Sequence, residues 1–252
     1  AGFTPCPPSM MAPPPGYVTY GGQGVNPAAF KPIKSISRAL MIVQGLGALM
    51  SLVLVVMQLG LVSKATDYLD NKITQTELTD ALTPFTSVSV FSTLISVAVI
   101  VLAILWSFRL SSNLVALGRL GVTWKSGLTI VVWILGGCTL NIITFLMLGE
   151  HWRASDPTVA PGDQSWKRSK VNPLIIVWFV LGLVGVLVGV ASGISSFASV
   201  SVNNSTDTLA KSLANHRGLI VAASVLSVAA TVVLINVVKQ LSDRHMQATR
   251  EA

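Results

Sequence analysis

Charged residues fall in clusters along this chain, and the gaps between clusters are long. No Lys, Arg, Asp, Glu or His occurs between Arg38 and Lys64, Asp80 and Arg109, Lys125 and Glu150, Lys170 and Asp207, or Arg217 and Lys239. Each gap holds more than the ~20 predominantly apolar residues that carry a helix across about 30 Å of hydrocarbon. The pattern predicts an all-α integral membrane protein with apolar runs at about 39–62, 88–108, 128–148, 173–197 and 219–238. Between the first two runs, Lys64 to Thr86 carries four acids and regularly spaced apolar residues, which suggests short amphipathic helical pieces.

The third run differs from the rest. Bases gather before the first run, at 109–125, at 153–170 and after 239, and are sparse in the other connections. Lys and Arg near span ends favour the cytoplasmic side. If the third run crosses, two basic segments fall on the wrong side. If it enters and returns, every basic segment and both termini are cytoplasmic. Gly136 and Gly137 split it into halves of about ten residues, each too short to cross as a helix. The expectation is four transmembrane helices plus a re-entrant or interfacial hairpin; five transmembrane helices is the alternative.

Outside the membrane domain, taken as residues 34–241, residues 1–33 are rich in Pro and Gly and cannot bury a core. Such a tail reads as disordered or as an arm docking on a partner, with Tyr17 and Tyr20 as its anchors. Residues 242–252 read as a polar C-terminal tail.

Composition agrees with this class: 11% of residues are charged, where a soluble domain averages about 25%. The net charge of +7 would raise nucleic acid as a partner in a soluble protein. Here the bases flank apolar runs, so anionic lipid is the better account and no nucleic-acid partner is expected. The predicted spans hold no ionisable residue, which argues against proton-coupled or voltage-sensing mechanisms. His151, His216 and His245 lie outside the spans and cannot clamp a buried haem. Cys6 and Cys138 form no metal-ligand spacing, and hydrolase, zincin and phosphate-loop motifs are missing. No catalytic, cofactor or metal residue is expected. Glu150 and His151 read as a solvated helix end. Gln44, Gln58, Asn141 and Asn236 are the polar side chains placed inside the runs. Gly185, Gly189 and Gly193 repeat at intervals of four, putting three glycines on one helix face for close packing. Most of the six tryptophans fall near predicted interfaces, where they would act as anchors.

One segment has distinctive wording: Asn113-Leu114-x-Ala116-Leu117-Gly118, Trp124-x-x-Gly127, Trp152-Arg153-Ala154-Ser155-Asp156-Pro157, then Trp166. It resembles the domain of unknown function 4328 family, mostly actinobacterial, over about Lys34 to Leu241. The chain departs from that family at Gly136 and Thr144, where the family usually has prolines. The resemblance implies a multi-pass protein of a bacterial plasma membrane and supplies no activity. The expected role is a non-catalytic accessory or scaffold subunit of a larger membrane complex, with a respiratory-chain supercomplex as one candidate host. Its partners would be other integral membrane proteins and lipids. The alternative is a small-solute or lipid transporter, resting on the broken third run and Asn141.

Overall fold

The computed structural model describes residues 18–20, 23–25, 29–199 and 206–251, with side chains placed over 29–191 and 206–251. Tyr17 and the side chains of Tyr20 and of residues 192–199 lie outside that description. Two short strands, β1 (Val18–Tyr20) and β2 (Gln23–Val25), pair antiparallel with Val18 opposite Val25, within the tail that reads as disordered or as a docking arm. The remaining regular secondary structure of the described residues is helical.

Four helices are long and apolar enough to cross a membrane: α1 (Lys34–Leu69), α2 (Gln75–Ala116), α5 (Pro173–Ser199) and α7 (Arg217–Thr249). Between α2 and α5 lie α3 (Ser126–Leu135) and α4 (Ile142–Ala154); between α5 and α7 lies α6 (Thr206–Asn215). α1 packs on α2 and α7, and α5 packs on α7. This is the four-span arrangement that the charge pattern favours.

The third run forms the expected hairpin. α3 spans about 15 Å, half the hydrocarbon thickness. Its C-cap is Gly136, a single 3₁₀ turn covers Gly137–Thr139, and α4 starts after Asn141. The two left-handed residues of the turn are Leu140 (φ 50°) and Asn141 (φ 61°), not the glycines. Gly136 is needed for closeness instead: a Cβ there would sit 2.7 Å from Thr144 Oγ1 and 3.1 Å from the Val132 carbonyl. Trp133 Nε1 donates to Ser107 Oγ (2.7 Å), pinning α3 to α2. The Phe145 and Phe179 rings stack at 4.6 Å, joining α4 to α5.

Two boundaries differ from those the sequence suggests. The acidic connection at 64–86 is not a set of separate pieces but the ends of α1 and α2, joined by a short turn. Thr74 and Glu77 form a reciprocal capping box that starts α2 at Gln75, ten residues before Phe85. The extra turns bury Ala65 and Leu78 against Ala210 of α6, which Tyr68 fixes through Asp207 (2.5 Å) and Gln75 through Thr206 (2.8 Å). Likewise, residues 242–249 are not a tail: α7 continues through them and buries Ser242 and His245.

The most densely buried side chains gather toward the end of the bundle that carries the N-terminus of α1 and the C-terminus of α7. Trp106, Leu110, Leu114, Met147, Leu148 and Leu241 are among them. At membrane depth α2 exposes Val90, Phe91, Leu94, Val97 and Val101, the surface that lipid would cover.

Candidate functional site

Antiparallel packing brings six chain segments to one end: the start of α1, the end of α2, both feet of the α3–α4 hairpin, the start of α5 and the end of α7. Of the seventeen bases, only Lys64, Lys72, Lys211 and Arg217 lie at the opposite end, whereas the ten acids divide evenly between the two. The first end is therefore a basic cap, and most of the distinctive sequence wording lies in it.

Its centre is Arg119, which is 5% exposed. The guanidinium donates to four backbone carbonyls: Nε to Ala154 (2.9 Å), Nη1 to Val159 (2.8 Å) and Ala160 (3.0 Å), and Nη2 to Asp156 (2.7 Å). The planar fork of arginine suits this spread of acceptors, which a lysine point charge would not span. Burial pulls its pKa below the ordinary arginine value, opposed by Asp156 and Asp163. Beside it, Gly118 (φ +67°) turns the chain so that its carbonyl accepts from Gly162 N (3.0 Å). Arg119 thus holds the loop after α4 to the end of α2.

The block from Trp152 to Pro157 points the other way, onto α7. Arg244 Nη2 pairs with Asp156 Oδ2 at 2.7 Å, and its guanidinium lies 4.8 Å from the Trp152 ring centre. Burial disfavours the Asp156 carboxylate, but hydrogen bonds from Thr158 and Ser169, together with Arg244, outweigh it and hold the pKa below the ordinary range. Ser155 Oγ lies 2.9 Å from His245 Nδ1. Arg153 bonds the Gly149 carbonyl (3.2 Å), and Pro157 is exposed. On the hairpin's other foot, Glu150 Oε1 accepts from Thr123 N (2.7 Å) and Trp124 N (2.9 Å), and Ser111 Oγ donates to the Trp124 carbonyl (2.6 Å). Glu150 is therefore no solvated helix end; it ties the entry of α3 to the exit of α4.

His151 and His245 are both fully buried in the cap, beyond the membrane portions of their chains. Burial pushes His151 down to about 4. Burial, then repulsion from His151 and Arg119, pushes His245 down to about 3. Both ring nitrogens of His151, and Nε2 of His245, make no hydrogen bond to the described residues. The sequence placed both histidines outside the spans but gave no sign that they are buried in the same cap.

Asn113 closes the cap on the N-terminal side. Its Oδ1 accepts from Lys31 N (2.8 Å) and its Nδ2 donates to the Lys31 carbonyl (2.9 Å). Arg109 Nη1 donates to the Pro32 carbonyl (2.7 Å). Glu251, at the other end of the chain, accepts from the main-chain N–H of Ile33 and Lys34 at 3.0 Å. A carboxylate at that position caps the start of α1; Ile33 itself offers no capping side chain.

The glycine face is mixed in its surroundings. A Cβ at Gly185 would lie 3.4 Å from Leu226 Cβ of α7, whereas one at Gly189 would meet no described atom within 4 Å. Gly193 lies in residues 192–199 of α5, whose side chains are not described. Half of the six tryptophans are core residues rather than lipid anchors: Trp106, Trp166 and Trp178 are buried, and Trp106 Nε1 donates to Ser242 Oγ (3.0 Å). The amides inside the runs also diverge. Gln44 is buried and its Oε1 is unpartnered, Gln58 accepts from Ser224 (2.9 Å), and Asn236 bonds its own helix at Val232 (2.9 Å). Among the described residues no three His, Cys, Asp or Glu side chains come together as a metal site.

Four antiparallel apolar helices, a hairpin returning at half depth and a basic cap define a multi-pass, all-α membrane protein. The chain belongs to the family described as Domain of unknown function (DUF4328), whose model matches residues 69–243. The match leaves α1 outside, a narrower extent than the sequence wording suggested. Gly136 and Thr144 meet across the hairpin turn. No curated protein and no solved structure matches the chain.

Proposed function

We propose that this protein is a non-catalytic accessory or scaffold subunit of a larger membrane complex, and that its basic cap presents the N-terminal tail to partners. The observation that supports this best is the seating of the tail's root. Residues 31–34 are held through their main chain by Asn113, Arg109 and Glu251, from two different helical ends. Main-chain clamping fixes where the tail leaves the bundle whatever its side chains are, as a docking arm requires.

The excess of bases at the cap supports a cytoplasmic cap and cytoplasmic termini in a bacterial plasma membrane. Integral membrane proteins and lipids are the proposed partners, and nucleic acid is not among them. The test is affinity purification of the full chain from its native membrane in mild detergent, beside a variant lacking residues 1–28. A stoichiometric integral membrane partner, retained by the full chain and lost by the variant, is the expected result. A respiratory-chain supercomplex is one host to look for there. Recovery of the full chain alone, or of the same partner with both chains, would overturn the proposal.

A further inference from the structure

α1 and α5 both pack on α7, and between the three lies a cavity of about 490 Å³ at membrane depth. A volume of that size suits a small ligand. Among the described residues, no Lys, Arg, Asp, Glu or His lines it. Its apolar wall includes Trp178 and Leu181, and its polar wall includes Gln58, Asn141, Ser224 and Thr231. The polar groups differ in what they have left to give. Thr231 donates to Ser227 O, and the single Ser224 hydroxyl proton is shared between Ile220 O and Gln58 Oε1, so these hydroxyl protons are used within the protein. The Gln58 amide accepts that bond and has two N–H donors left. The Asn141 side chain, at the tip of the hairpin, makes no hydrogen bond to the described residues. Bilayer hydrocarbon offers such donors no water, and leaving them unpaired there is costly.

We infer that this cavity is a binding site for an uncharged lipid bearing carbonyl oxygens. Its carbonyls would accept from the free amide N–H groups, and its apolar body would lie against Trp178 and Leu181. An anionic or zwitterionic headgroup is disfavoured because the lining has no countercharge and lies well inside the spans. Gly182 lines the cavity nine residues into α5, about 14 Å from its start. Diacylglycerol and an isoprenoid quinone share the required chemistry. This site stands independently of the tail and of any partner protein.

Gly182 also provides the test. A Cβ there would meet no described atom within 4 Å, so the first carbon of a Gly182→Leu side chain enters open space and the rest takes up cavity volume, and leucine is the better helix former. The full chain would be reconstituted in phosphatidylglycerol nanodiscs with a photoreactive probe. The arms are a diazirine diacylglycerol, a diazirine isoprenoid quinone and, for comparison, a diazirine phosphatidylglycerol; cross-linked peptides are mapped. Saturable labelling of the Trp178–Val186 and Ala223–Leu234 segments by at least one uncharged probe is expected, falling at least fivefold in Gly182→Leu. Gln58→Leu should weaken it while leaving Ser224 its bond to the Ile220 carbonyl. The arm that labels identifies the source. Three results would overturn the inference. One is labelling spread along the lipid-facing Val90–Val101 surface. Another is equal labelling by phosphatidylglycerol. The last is an unchanged signal in a folded Gly182→Leu protein.

Discussion

His151 and His245 are separated by ninety-four positions in sequence and lie buried in the same cap, uncharged. Their depressed pKa values fix the sign of a pH effect. The unfolded chain takes up a proton at each histidine below about 6.5, whereas the folded cap resists until about 4 at His151 and about 3 at His245. Their contribution to stability is therefore complete above 6.5 and is lost as pH falls from there toward 4, by up to about 1.4 kcal/mol per pH unit for each histidine. Thermal unfolding in detergent should give a Tm that is level above pH 7 and falls below 6.5, with a shallower fall in His151→Phe. A level Tm between pH 7.5 and 5 would show that the two rings are not buried as neutral groups. Nothing in the sequence marks this pair, because only the packing of α4 against α7 brings it together. Arg119 was equally hidden. Its partners are backbone carbonyls 35 to 41 residues away, and a carbonyl acceptor leaves no trace in side-chain wording.

The hairpin shows how far local sequence reaches at the scale of an element. Gly136 and Gly137 do mark the break, since the apolar run is interrupted there. The mechanism differs from what glycine suggests: the strained backbone falls on Leu140 and Asn141, and Gly136 serves by having no Cβ to strike Thr144. Thr144 Oγ1 is itself buried and unpartnered. Gly136→Ala should therefore destabilise the protein by about 1–3 kcal/mol through overpacking. Thr144→Ala, which removes an unsatisfied hydroxyl and opens space, should be close to neutral and should rescue much of the loss when combined with Gly136→Ala. Denaturation of the three variants measures this, and additive effects would mean that the two residues do not share the constraint. The long ends of α1, α2 and α7 were less legible for a different reason. Beyond the bilayer a helix persists only if it finds something to pack on, and that support is α6 at one end and the cap at the other.

For the whole molecule, the sharpest commitment is that the chain segments before α3 and after α4 share one side of the membrane. In a background of Cys6→Ser and Cys138→Ser, single cysteines replacing the exposed Leu120 and Thr158 should react with an impermeant maleimide from the same face. A cysteine replacing Lys72 should react from the opposite one. Labelling of Leu120→Cys and Thr158→Cys from opposite faces would mean that the third run crosses. The sequence by itself determined the class, the four spans and the odd third run, because hydrocarbon excludes charge from every residue that enters it and so writes its boundaries along the chain. Only the tertiary structure decided what the distinctive wording is for. Asn113, Gly118, Trp152, Ser155 and Asp156 act through the backbone at Lys31 and Gly162 and through the side chains of Arg244 and His245, separated in sequence by tens to nearly a hundred residues. Contacts across such distances exist once the helices have packed, and no local pattern encodes them.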